Sequence, residues 1–172
     1  MAKRDIMKDP HGTKPEFTPA DLAEIQRIIQ RYPAEHKTSA LMPVLHLAQK
    51  SFGGWLSQEA LDLVARVLGL APVRVYEVAS FYTMYNLHPV GRYHVQICTN
   101  ISCWLCGSDE VMGAVQKRLG VDVGHTTDDG RYSLSEVECL GACVAAPMMQ
   151  INDDYYENLT GTAAVAVLDR LP

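Results

Sequence analysis

Five cysteines, at positions 98, 103, 106, 139 and 143, are the residues in this 172-residue chain best placed to do chemistry. Four of them form two tight hooks. Cys98 and Cys103 are separated by four residues, Cys139 and Cys143 by three, and thirty-five residues lie between the hooks. Four thiolates can hold two irons and two sulfides as a [2Fe–2S] cluster, or close a zinc tetrahedron. Cys103-Trp104-Leu105-Cys106 has a third possibility, the CxxC pattern of a redox dithiol at the start of a helix. The run Cys98-x4-Cys103-x2-Cys106 with a distant Cys139 also fits a plant-type ferredoxin spacing, but it leaves Cys143 idle. Two pairs, 98/103 and 139/143, use both hooks. A dithiol reading has no use for Cys98, Cys139 and Cys143.

Composition narrows the setting. Five cysteines without an apolar export segment predict a reducing, cytoplasmic compartment, where clustered thiols bind metal or do redox work. The net charge of −5 offers no basic footprint for nucleic acid. No apolar run approaches the roughly 20 residues that cross a bilayer, which predicts no direct membrane insertion. No G-x-G-x-x-G fingerprint follows a strand, and no Ser/His/Asp set or carboxylate pair suggests hydrolysis. The chain is therefore expected to carry neither NADH nor FMN itself, and to have no catalytic residue of its own.

The cysteines must be positioned by what surrounds them. Residues 1–17, broken by Pro10, Gly12 and Pro15, read as a disordered or loosely draped arm. Thr18-Pro19-Ala20-Asp21 is a capping-box helix start, with Leu22, Ile25, Ile28 and Ile29 at helical spacing to about Tyr32-Pro33. A second helix is predicted over 39–51, with Pro43 in its first turn and Gly53-Gly54 as its stop. Ser57 caps a third, with Leu61, Leu63, Val64 and Val67 inward and Gly69 at its end. Pro72 opens a fourth through Val73, Val75, Val78 and Phe81 to about Met84. These four make a helical bundle over 18–88.

Beyond Pro89-Val90-Gly91 the period changes to two. Tyr93, Val95 and Ile97 alternate into Cys98 as a half-buried strand. Ser108 is predicted to cap a helix that ends at Gly120. Val121 and Val123 suggest a short edge strand, and Tyr132, Leu134 and Val137 a second strand reaching Cys139. A third strand is expected over 148–151, a fourth over 155–159, and a last helix opening at Thr160 or Thr162. The fold class is α+β, a helical bundle followed by a thioredoxin-like or ferredoxin-like domain over 89–172. The helix starting near Gly107-Ser108 would aim its positive end at the cluster region. Gly141 and Ala142 leave the second hook free of bulk.

Ser80-Phe81-Tyr82-Thr83, the run from Pro89 through Ile97-Cys98-Thr99, Cys103-Trp104-Leu105, Gly107-Ser108-Asp109 and Glu138-Cys139-Leu140-Gly141-Ala142-Cys143 carry a resemblance. So do Ala146-Pro147-Met148, Gln150-Ile151-Asn152 and Tyr155-Tyr156. Together they resemble the 24-kDa-type subunits of respiratory NADH dehydrogenase (complex I), a thioredoxin-like [2Fe–2S] ferredoxin family, from about residue 18 onward. The resemblance implies one [2Fe–2S] cluster on Cys98, Cys103, Cys139 and Cys143. It implies a larger flavoprotein partner that holds FMN and binds NADH, and an electron exchanged between that flavin and the cluster. The location implied is cytoplasmic, peripheral on the inner face of a membrane. Enzyme activity would exist only in the complex. Equivalent subunits serve NAD-linked hydrogenases and formate dehydrogenases, and a thiol oxidoreductase using Cys103 and Cys106 is the reading from a different class.

Cys106 departs from the family, which would have a basic residue there, and is expected to lower the cluster potential. Trp55 and Trp104 read as packing or interface aromatics. His94 and His125 read as exposed and not as ligands. Met148 and Met149 read as ordinary strand residues, and Pro147 as a cis-proline lining the cluster loop.

Overall fold

The computed structural model describes residues 6–10 and 12–172, which divide into two compact units, 6–89 and 90–172. The start of the expected arm, with Lys3, Arg4 and Asp5, lies outside the described residues.

The first unit is a helical bundle: α1 (Pro19–Ile29), a 3₁₀ helix (Ala34–Ala40), α2 (Leu41–Ser51), α3 (Gln58–Leu68) and α4 (Pro72–Phe81). Its starts follow local chemistry. Thr18 and Asp21 form a reciprocal capping box, and the donated hydrogen bonds hold the Asp21 carboxyl below its usual range. Ser57 Oγ accepts from the Ala60 amide. Pro43 falls in the first turn of α2, where a missing N–H is harmless. The core is Ile25, Leu45, Leu56, Leu61, Val64 and Val75 with others. Tyr85 joins it, fully buried, donating its hydroxyl to the Met42 carbonyl at 3.0 Å. Burial pushes that phenol up to about 12.

Two inward assignments need correction: Leu63 and Val67 are only half-buried while Ala60, Ala65 and Leu68 fill the core. On α4, Val73 and Phe81 lie on the outer face. Along α3 the small residues allow close packing that a count of large apolar residues overlooks. The described part of the arm is draped: Gln58 N–H donates to the Met7 carbonyl, Asp9 N–H donates to Glu59, and Phe17 packs on Phe52.

The second unit runs β1 (Tyr93–Cys98), α5 (Ile101–Leu105), α6 (Ser108–Leu119), β2 (Tyr132–Val137), a 3₁₀ turn (Cys143–Ala145), β3 (Met149–Ile151), β4 (Asp154–Tyr156) and α7 (Gly161–Arg170). The sheet order is β2-β1-β3-β4, with β1 parallel to β2 and the other pairs antiparallel. A parallel pair needs a crossover, and α5 with α6 supplies it. Val95, Ile97, Leu134 and Met149 from the sheet pack with Val111, Val115 and Leu168 from the helices. Tyr132 donates its hydroxyl to the Leu168 carbonyl at 3.2 Å, tying α7 to β2.

Three details differ from expectation. Val121 and Val123 form no strand: Gly124, at φ 86°, turns the chain, and only Thr126 bridges to Ser133. The fourth strand stops at Tyr156, because Asn158 adopts φ 50° and Leu159 N–H donates to the Pro147 carbonyl instead. Ser108 does not cap α6. Gly107 occupies the cap at φ 98°, and Ser108 is the first helical residue.

Candidate metal centre

The thiol hooks lie at one end of the sheet because two adjacent strands end together. Cys98 is the last residue of β1 and pairs in register with Val137, the last of β2. Thr99 N–H donates to the Val137 carbonyl at 3.1 Å, keeping the chains side by side as they leave the sheet. From there Asn100 caps α5, its side chain accepting from the Ile101 amide. This five-residue helix, which the sequence pattern did not reveal, turns Cys103 back inward. Its signal was available in Asn100, a good cap residue two positions after a strand.

Cys98 and Cys103 are both 2% exposed and pack with Met148, just before β3. Burial, a hydrogen bond shared with Cys98, and nearby Cys98 and Cys143 push the Cys103 thiol up to about 11, against a lowering by the Met148 amide. The Met148 carbonyl accepts from the Cys98 amide at 3.3 Å. Met148 lies just outside the strand where the sequence placed it, and its main chain meets the Cys98 amide and the Cys103 thiol. The cis peptide expected at Pro147 is present, between Ala146 and Pro147.

The second hook is open. Cys139 and Cys143 are exposed, on the loop from β2 to β3. Gly141, at φ 81°, makes a turn that suits glycine, and its N–H donates to Cys139 Sγ at 3.3 Å. An amide aimed at sulfur stabilises a thiolate or a metal-bound sulfur. Tyr155 Oη donates to the Leu140 carbonyl at 2.9 Å and anchors the loop to β4. Cys106, at the end of α5, is exposed.

His94 corrects another expectation. It is 8% exposed, because β1 is an interior strand with neighbours on both sides. Its Nε2 lies 2.8 Å from Ser135 Oγ, and burial drops its pKa to about 4. His125 is exposed, as is Trp104, whose indole N–H donates to Asp109.

The donor set fits a thiolate-bound binuclear cluster: four sulfurs, one pair buried and one open, with main-chain amides directed at them. Among the described residues no three His, Cys, Asp or Glu side chains form a ready single-ion site. A diiron centre shares its four ligands between two ions, so it does not require that convergence. The dithiol reading fares worse, since a thiol that is buried and held near 11 is a poor thiolate nucleophile.

Comparison with known proteins agrees. The chain is 50% identical over 155 residues to an NADH-quinone oxidoreductase subunit of Rickettsia conorii, covering 90% of this chain and 93% of that one. It is 49% identical over 156 residues to the mitochondrial NADH dehydrogenase [ubiquinone] flavoprotein 2 of Dictyostelium discoideum, covering 91% of this chain and 63% of that one. An NAD⁺-reducing [NiFe]-hydrogenase structure superposes with a TM-score of 0.65 at 22% identity, over 77% of this chain and 23% of that chain, a likeness of fold. The family model for thioredoxin-like [2Fe-2S] ferredoxin matches residues 25–172, and the chain belongs to that family.

Proposed function

We propose that the chain is the electron-transfer subunit of an NADH:quinone oxidoreductase, with one [2Fe–2S] cluster on Cys98, Cys103, Cys139 and Cys143. The observation that carries this reading is the placement of both thiol hooks at the shared end of β1 and β2, in a chain half identical to a named subunit of that enzyme. When bound, such a cluster stores and releases one electron.

The chain's own residues hold it, shield it and present it. Cys98 and Cys103 supply the buried side, packed by Met148. The Gly141 amide donates to the exposed side at Cys139, where negative charge needs a partner. The same end of the unit presents apolar side chains: Trp104 at 55% and Leu105 at 73% exposure on α5, with Val144 beside Cys143. Apolar surface of this kind suits a partner protein, and the reading assigns that role to a larger flavoprotein carrying FMN and the NADH site. Among the described residues no helix is long and apolar enough to cross a membrane. Attachment would then run through the complex, on the inner face of the membrane.

Anaerobically purified chain should be red-brown, contain about two irons and two sulfides, and give a rhombic signal on one-electron reduction. NADH should reduce it only when the flavoprotein is added. A colourless chain after reconstitution would remove the reading.

A further inference from the structure

Ser108 is fully buried, and its Oγ is the buried side-chain oxygen that finds no hydrogen-bond partner among the described residues. A hydroxyl in that position is destabilising unless something pairs with it. Its own helix offers nothing. The capping place belongs to Gly107, whose carbonyl takes the Glu110 and Val111 amides, and the Trp104 carbonyl four residues back is occupied by Gly107 N–H at 3.0 Å.

Burial sorts the residues of the α5–α6 corner into two faces. Trp104, Leu105, Cys106, Asp109 and Glu110 are exposed, whereas Cys103, Ser108 and Val111 are buried. Cys103 belongs to the small cluster with Cys98 and Met148, and Val111 to the sheet core. Ser108 precedes Val111 by one helical turn on the buried face, and so lies on the cysteine-ward side of it. Of the groups the proposed site would receive, the one rich in acceptors is a cluster of sulfurs.

We propose that Ser108 is a positioning residue whose Oγ–H donates a hydrogen bond to the sulfur shell of the cluster bound by Cys98, Cys103, Cys139 and Cys143, raising its reduction potential. This rests on the proposed function above. Reduction adds one electron, and so one negative charge, without making or breaking a bond at Ser108. A donor facing the sulfurs favours the more negative state.

The test uses the full chain as wild type, Ser108→Ala and Ser108→Thr, each reconstituted with iron and sulfide. Iron and sulfide counts come first, then the midpoint potential from an EPR-monitored redox titration. Urea unfolding of the metal-free proteins follows. Ser108→Ala should load fully and shift the reduced-to-oxidised ratio at a given potential about tenfold toward oxidised, about 59 mV downward for one electron. Ser108→Thr should keep the wild-type potential. Metal-free Ser108→Ala should be at least as stable as wild type, because the lost hydroxyl had no partner there. A fully loaded Ser108→Ala with unchanged potential would overturn this proposal and leave the functional reading intact. So would a metal-free Ser108→Ala that is clearly destabilised, since the hydroxyl would then be bonding within the protein. A wild-type chain that takes up no cluster would overturn the functional reading, and this one with it.

Discussion

Two kinds of cysteine would do different jobs in the proposed site. Cys98 and Cys103 are buried and help hold the end of β1 against Met148, so replacing either should disturb packing as well as the proposed ligation. Cys139 and Cys143 are exposed, and Ser in their place should leave the fold intact while abolishing the cluster's visible absorption and EPR signal. Cys106→Ser should retain both signals at wild-type iron content, because that thiol lies outside the proposed ligand set. His94 contributes a pH dependence. Its pKa falls from 6.5 to about 4 on burial. Between those values the unfolded chain takes up a proton that the folded one refuses. Its contribution to stability is therefore full above about pH 6.5 and declines as pH drops toward 4, by about 3 kcal/mol in all. Urea midpoints measured at pH 7 and 4.5 should fall less in His94→Gln than in wild type.

Between elements, the contact of α6 with α7 is set by a glycine. A Cβ on Gly161 would stand 3.0 Å from Ala114 Cβ and 3.2 Å from the Glu110 carbonyl. Gly161→Ala should therefore push α7 outward and lower stability by about 1 kcal/mol, despite the higher helix propensity of alanine. Gly113 sits in the same α6 but on its exposed side, with nothing within 4 Å of an added Cβ. Gly113→Ala should raise stability by about 0.5–1 kcal/mol. Thermal unfolding of the two variants beside wild type checks both signs. The hook elements follow another rule. Five-residue α5 is too short to persist alone, and its place depends on Asn100, on the close of β1, and on α6 behind it.

Over the whole molecule, the two units have cores that share no residue. Binding free energy from a cluster held by Cys98, Cys103, Cys139 and Cys143 accrues to the unit over 90–172. Calorimetry of loaded and iron-depleted chain should show the transition of that unit move to lower temperature on depletion, with the bundle transition unchanged. A shift of both together would mean that the chain unfolds as a single cooperative body.

Local chemistry was legible in the sequence wherever neighbours along the chain decide the outcome. The Thr18–Asp21 box, the Ser57 cap, the Gly69 and Gly120 stops and the alternation of β1 all involve residues within a few positions of one another. The two-pair cysteine pattern was legible for the same reason. Contacts between distant segments decided the rest. Alternation along β1 sorts side chains onto two faces, but burial of His94 needs β2 and β3 on either side of it. Ser108 looks like a helix cap in one dimension, and it becomes an unpartnered buried hydroxyl only because Gly107 takes the cap and the α5–α6 corner turns it inward. The register of Cys98 with Val137 brings hooks thirty-five residues apart to one end of the sheet, a pairing across two strands that spacing along the chain does not encode.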